Sequence, residues 1–533
     1  LKTHEQYAAL PRWVLCALIA ILLSGPATPM ANTFDPANAS IVQLRAALDA
    51  GRVTSEQLVA FYMDRIERFD RKGPRISALI SINPHAREQA RQSDADAKKA
   101  LRRGMLRGIP FIAKDNYDTA GIPTSGGSAA LKHSVPSENA FVVQKLIDEG
   151  AILIGKSNMS ELAASCGRLG YSSAGGLTVN PYNTARDVSG SSSGSAAAVA
   201  ADFAAFALGT DTAGSVRGPA SVAGLVGLRP TLGLTSRTGV IPLSLTFDTT
   251  GILARSVEDL TLVLNAIAAV DAADAATRLQ PVHGNYRTAI GTKSLAGARL
   301  GVITNFRGAN IEVDEVEQRA LLSLKGQGAV LIPVTLPKEF ETLWDKVLRP
   351  VGEGEFRPQF ERYLRTLPAG QPRTLAELIA ISASDAVMNS ATPVNPGRLE
   401  ALREADSTPL TDSPTYIHIL TQVIPSIRRQ LAAIMASNNL DAFVFSTMSC
   451  PAGPRYDRPD PSYACNSDDN YKPGYVASAA GFPEVTVPAG RISANMPVGY
   501  SFMGAPYSEA RLLSLAHAFQ IAEPRLPAPA LGD

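Results

Sequence analysis

SGSSSGSAAAVAADFAAFALGTDTAGSVRGPASVAGLVGLRPT, residues 189–231, is the stretch on which the reading of the fold turns. Its Gly and Ser content would suit a flexible linker, except that structured runs are interleaved with it. Residues 196–201 read as an Ala-rich helix, and residues 203–208 as an apolar strand. Small residues throughout point to a helix lying close on a sheet. Glycine tolerates positive φ and near approach of other backbone. The intervening turns are therefore expected to expose N–H groups around a site, a nest of donors suited to a developing oxyanion.

Outward from that centre, strands and helices alternate. On the N-terminal side Ser40 opens a short helix, and Thr54-Ser55-Glu56-Gln57 has the capping-box spacing. Leu58, Phe61, Tyr62, Ile66 and Phe69 follow at mostly helical steps. Residues 76–82 read as a strand, 85–103 as a polar helix, and 109–113 as a short apolar strand ending at Lys114. Residues 139–149 are helical and 151–154 form a buried-type strand. Such alternation predicts an α/β fold, one large mixed β-sheet with helices on both faces. From about 340 to 440 the character is mostly helical, broken at Pro393, Pro396, Pro409 and Pro414. That region is expected to be an elaboration carrying substrate-specific surfaces. Strands return at 442–445 and 485–487, and Pro524, Pro527 and Pro529 mark a terminal tail.

Two motif readings of the centre fail on context. Residues 190–194 (GSSSG) match the G-x-S-x-G nucleophile elbow, with Ser192 as nucleophile. That elbow should follow a strand directly and needs a downstream histidine. NPYNTARDVS looks like loop instead, and His517, in LLSLAHAFQ, reads as a packed helix residue; His283 and His418 are the other candidates. Residues 150–157 (GAILIGKS) match the phosphate-loop spacing, but AILI is a strand rather than a polar turn.

A third reading accounts for more of the chain. The 189–231 segment resembles the signature of the amidase signature family of serine hydrolases. Agreement continues at KDN (114–116), GKSNMSE (155–161), NPYNTAR (180–186), AGFPEVTVP (480–488) and MPVGYSFMG (496–504). These motifs occur in order and extend the resemblance from about residue 41 to 523. It implies that residues 32–533 form one amidase signature domain. It also implies a catalytic set of Ser215 as nucleophile, Ser191 as relay serine in a cis peptide, and Lys114 as base. The Ser191-to-Ser215 separation of 24 residues agrees with the family's spacing. Backbone N–H groups of Thr212, Ala213, Gly214 and Ser215 are the implied oxyanion hole, and Ser192 and Arg217 supporting residues. Arg217 reads equally well as a structural ion-pair residue, Asp211 and Arg186 as loop-fixing residues, and Cys166 as a small core residue. Ala213 and Ser193 stand where the family usually has Gly, which asks whether the backbone there accepts a Cβ.

The residue types suit the implied chemistry. A serine hydroxyl needs a base, and a lysine can act as one only when neutral, against a reference pKa of ~10.4. Burial away from acids lowers that value. Lys114 ends an apolar run, and Asp115 beside it should point to the opposite face; the alternative is an exposed lysine at a strand end. The reaction so implied is acyl transfer through an acyl-enzyme on Ser215, needing no metal or organic cofactor. GSSSGS, EFRPQFERYLRTLP (355–368) and TLAELIA (374–380) most resemble bacterial peptide amidases. Aryl-acylamidases and carbamate-cleaving hydrolases share the core, and a catalytically silent binding protein is the reading from another class. The glutaminyl-tRNA amidotransferase subunit is a further relative, a cytosolic protein working with a partner.

Composition limits the partners. The 533 residues carry 50 basic and 49 acidic side chains, a formal charge of +1, with no long basic run. No nucleic-acid partner is expected, and a small-molecule or peptide amide suits the balance. Lys2 and Arg12 precede an apolar run at 13–23, then SGPATPMAN. This order describes a signal peptide over 1–31, and a spanning helix needs ~20 apolar residues. The expected location is periplasmic or secreted, without stable membrane association after cleavage. Oligomeric state is not legible. Cys450 and Cys465 flank one Pro/Asp-rich loop, so they either pair or remain free with Cys166.

Overall fold

The computed structural model describes residues 34–99, 104–291, 294–407 and 411–532. The expected signal segment 1–31 and Pro409 lie outside the described residues. In chain order the strands are β1 (Leu79–Ile82), β2 (Pro110–Lys114), β3 (Ile152–Ser157), β4 (Tyr171–Ser172), β5 (Gly176–Leu177), β6 (Phe206–Asp211) and β7 (Val226–Arg229). They continue with β8 (Thr249–Ala254), β9 (Arg299–Ile303), β10 (Val330–Val334), β11 (Ala442–Ser446), β12 (Glu484–Arg491) and β13 (Pro497–Met503). Among the described residues, β4 and β5 form a separate ribbon and the other eleven make one sheet, ordered β1-β3-β2-β6-β8-β7-β12-β13-β11-β9-β10.

The sheet is mixed, as expected. β2 runs parallel to β3 and β6, whereas β6–β8, β7–β12 and β12–β13 are antiparallel. Alternation along each strand divides the core between the two faces. Phe111, Ala113, Phe206 and Leu208 join one cluster with the helices Phe141–Asp148, Val257–Ile267 and Glu509–Ala522. Ile112 and Ala207 face the other way, against the Ala-rich helix Ser193–Ala200 and the aromatic face of Ser55–Arg65. A third cluster lies toward the far end of the sheet, where helices Ile424–Asn438 and Lys472–Ala480 cover β11.

Caps account for the helix starts. Ser40 and Thr54 both form complete capping boxes, with Gln43 and Gln57 returning the bond. Pro396 and Pro414 open helices rather than break them, because a proline in the first turn loses no intrahelical bond. The Ala-rich helix starts at Ser193, not at 196, and the following strand is β6 at 206–211, not 203–208. Asp202 takes φ +59°, so the apolar residues 203–205 finish a turn before the strand begins. β1 is likewise shorter than 76–82, since Arg75 and Ser77 have positive φ. Among the described residues, no helix is long and apolar enough to cross a membrane.

Candidate active site

β2 ends at Lys114, whose side chain is fully buried. Its Nζ donates to three neutral hydroxyls: Ser191 Oγ at 2.7 Å, Ser192 Oγ at 3.0 Å and Thr210 Oγ1 at 2.8 Å. Asp115 turns away, as strand alternation predicts. Its Oδ2 accepts from the N–H groups of Ser125 and Gly127, both at 3.1 Å, and its Oδ1 faces Lys156 at 3.4 Å. Burial pushes the Lys114 ammonium down to about 7, against the more distant upward pull of Asp211 and Asp248.

Ser191 follows a cis Gly190–Ser191 peptide and is buried, whereas Ser215 is partly exposed. The two serines are joined through backbone: the Ser192 N–H donates to Ser215 O at 3.1 Å. Among the described residues, no hydrogen bond joins the Ser191 and Ser215 hydroxyls. Ser191 therefore lies on the lysine, and Ser215 lies outward of it. Ser192 directly precedes the Ala-rich helix at the end of a loop, and its hydroxyl is occupied by Lys114 and by Thr210 O at 3.2 Å. Neither a preceding strand nor a histidine supports an elbow there. The 150–157 segment is likewise strand β3 over most of its length, which removes the phosphate-loop reading.

The turn bearing Ser215 is built on Asp211. The Asp211 carboxylate accepts from Gly214 N–H at 2.9 Å, Val216 N–H at 3.0 Å, Arg217 Nε at 2.9 Å and Arg229 Nη1 at 3.0 Å. Although burial opposes it, the two guanidinium groups hold Asp211 well below the usual carboxylate range. Arg217 also reaches Glu484 at 2.5 Å and Gly474 O at 2.7 Å. It is thus a buried ion-pair residue behind the turn, and through Asp211 it also supports the turn that bears Ser215. Among the described residues, no protein acceptor takes the N–H of Thr212, Ala213 or Ser215. Gly214 differs from the expectation, since its N–H is already spent on Asp211. Ala213 lies outside the left-handed region and so accommodates its Cβ, whereas Gly214 has φ +100°. Ser193, the other departure, donates to Ser189 O at 2.5 Å.

Three neighbours were given no role by any motif reading. Thr210, at the end of β6, accepts from Lys114 and from Asn116 Nδ2 at 3.0 Å. Asp248 accepts from Thr212 Oγ1 at 2.5 Å, steadying the donor turn. Tyr471 contacts Ser189 and Gly190 from far along the chain. Thr210 could have been found as the hydroxyl ending a strand parallel to β2; the other two have no local signal. Arg186 pairs with Asp460 at 2.7 Å. Cys166 corrects its expectation: it is exposed, in a turn with φ +44° whose carbonyl is held by Asn395 at 3.0 Å. Cys450 and Cys465 form a disulfide.

Known proteins share this architecture. A family model described as Amidase matches residues 57–513. A probable amidase of Arabidopsis thaliana is 32% identical over 517 residues, which cover 95% of this chain and 94% of that protein. A glutamyl-tRNA(Gln) amidotransferase subunit of Halorhodospira halophila is 33% identical over 491 residues, covering 90% of this chain and 96% of that protein. The native peptide amidase from Stenotrophomonas maltophilia superposes with a TM-score of 0.82 at 36% identity, over 92% of this chain and 99% of that one.

Proposed function

Since this chain belongs to the amidase family, we propose that it hydrolyses a carboxamide through an acyl-enzyme on Ser215, with Ser191 as relay and Lys114 as base. The observation that carries this reading is the buried lysine among hydroxyls. Ser192 spends its only hydroxyl hydrogen on Thr210 O, so toward Lys114 it acts as acceptor. Thr210 Oγ1 likewise accepts from Lys114. A neutral amine keeps two N–H groups and one lone pair, and with the hydrogens directed at Ser192 and Thr210 the lone pair faces the Ser191 O–H.

In that state the path from Ser191 to Lys114 is in place, and it is completed when Ser215 Oγ comes within hydrogen-bond reach of Ser191 Oγ. As Ser215 Oγ attacks the carbonyl carbon, its proton passes to Ser191 Oγ, whose own proton passes to Lys114 Nζ. The carbonyl π electrons move to oxygen, where the N–H groups of Thr212, Ala213 and Ser215 stabilise the charge; Gly214 can add a fourth only by releasing Asp211. Collapse breaks the C–N bond while the relay returns the proton to the leaving nitrogen. Water then attacks the ester by the same path, giving a carboxylic acid and free Ser215.

The similarity to peptide amidase supports peptide amides as substrates, with anilides and carbamates as the competing classes. A hydrolysis panel of peptide amides, anilides, aliphatic amides and carbamates decides the class; a response to anilides but not peptide amides overturns it. Ser215→Ala should abolish turnover and fluorophosphonate labelling while leaving the circular dichroism spectrum unchanged, and substantial residual hydrolysis would remove Ser215 from its role. Export is part of the same proposal, supported by the 13–23 apolar run after basic residues and by a disulfide, which suits an oxidising compartment. Fractionation of cells expressing the full chain should find the protein outside the cytoplasm.

A further inference from the structure

Tyr471 is partly buried against both serine-bearing loops. At one end its phenol oxygen accepts from Gly190 N–H at 2.9 Å, lies 3.0 Å from Gly190 O, and closely contacts Ser189 Oγ. At the other, its ring covers the glycines on either side of the Ser215 turn. A Cβ on Gly214 would come within 2.9 Å of Tyr471 Cδ1, and one on Gly218 within 2.8 Å of Cε1. One side chain thus touches the residue before Ser191 and the residue before Ser215.

What holds Tyr471 is the short stretch just after the disulfide loop, tied back to Cys450 at the start of that loop. Asp469 Oδ1 accepts from the Tyr471 N–H at 2.9 Å. The preceding residue, Asn470, accepts from Cys450 N–H at 2.5 Å through its side chain and from Ser449 N–H at 3.1 Å through its carbonyl. The disulfide loop reaches the serine loop by a second route. Gly453 O accepts from Asp187 N–H at 2.9 Å, and Asp187 Oδ1 accepts from Ser189 N–H at 2.7 Å.

We propose that Tyr471 is a positioning residue for the reaction, spacing Ser191 against Ser215, and that the Cys450–Cys465 bond keeps it in place, so that activity depends on that disulfide. The inference rests on the assignment of Ser191 and Ser215 made above. It assigns Tyr471 no contact with the substrate. The two hydroxyls are not hydrogen-bonded to each other, so their approach during turnover is set by how firmly the two loops are held. A displacement of this kind changes the chemical step rather than substrate binding, and misplacement by ~1 Å can cost on the order of 100-fold.

The test compares wild type, Tyr471→Phe, the Cys450→Ser/Cys465→Ser pair, and their combination. Each is measured for fluorophosphonate labelling, for kcat and KM on a short peptide amide, and for Tm. Tyr471→Phe keeps the ring and loses the hydroxyl. It should lower kcat and the labelling rate by about 10- to 100-fold with KM changed less than about twofold. The disulfide-free pair should fall in the same way, and adding Tyr471→Phe to it should cause little further loss, because both act through one contact. If the pair does not accumulate, reduction of purified wild type with dithiothreitol supplies the same comparison, and reoxidation should restore the rate. A Tyr471→Phe enzyme with kcat within about twofold of wild type overturns the proposal, as do losses that multiply. Ser215→Ala, run alongside, separates the two claims. If it remains active, the catalytic assignment has failed whatever Tyr471 does; if it is dead while Tyr471→Phe is normal, only the positioning role has failed.

Discussion

A lysine whose close partners are all hydroxyls has no carboxylate to hold its proton. Lys114 is therefore pushed by burial down to about 7, and in the proposed mechanism the working form is the deprotonated one. kcat/KM should accordingly rise with pH through about 7 and level off above it, the opposite limb from an enzyme that needs a protonated acid. A pH–rate profile on an uncharged amide checks the direction. Lys114→Met should flatten that limb and lower kcat by roughly 10²- to 10⁴-fold, the usual range for a lost general base. At this scale much was legible in the chain itself. KDN, GSSSGS and GTDTAGS point to Lys114, Ser191 and Ser215 through the family resemblance, and the structure brings Lys114 and Ser191 into hydrogen-bond contact. Arg217 stands in the same motif, and its partners Asp211 and Glu484 make it a buried ion-pair residue. Tyr471 was illegible, since its meaning comes from contacts with Gly190 and Gly214, which share no sequence neighbourhood with it.

Elements are placed here by small residues as much as by apolar ones. The Ala-rich helix begins at Ser193 against the backbone of two other segments. A Cβ on Gly194 would meet Ala78 O at 2.4 Å and Asn158 N at 2.5 Å. Gly194→Ala should therefore push the helix off the sheet, costing about 1–3 kcal/mol of stability and more of the activity, because Ser191 and Ser192 lead into that helix. Urea denaturation and the specific activity of the folded fraction measure the two effects. The same closeness explains where element boundaries were hidden. Residues 203–205 are as apolar as β6 itself, and only the left-handed Asp202 shows that a turn is still in progress. β8, β9 and β10 carried no motif strong enough to mark them, β7 and β13 lay in motifs without being read as strands, and the pairing of all five is a property of the assembled sheet. Capping boxes at Ser40 and Thr54 were readable because both partners lie within one turn.

Across the whole molecule, positive and negative side chains nearly cancel, with a formal charge of +1. A neutral amide would approach without long-range steering. The burial of Lys114 then has a consequence in ionic strength. A base that works uncharged presents no field for dissolved ions to screen, and its surroundings shut the ion atmosphere out. At ~0.15 M salt that atmosphere screens exposed charges beyond ~8 Å, while buried groups feel it far less. kcat/KM on an uncharged peptide amide should thus stay level as sodium chloride is raised from about 0.05 to about 0.5 M, a range over which steered encounters slow steeply. A carboxylate-bearing substrate that slowed across that range would locate any binding charge in the acyl pocket, since the hydrolytic centre itself has none to lose to the solution.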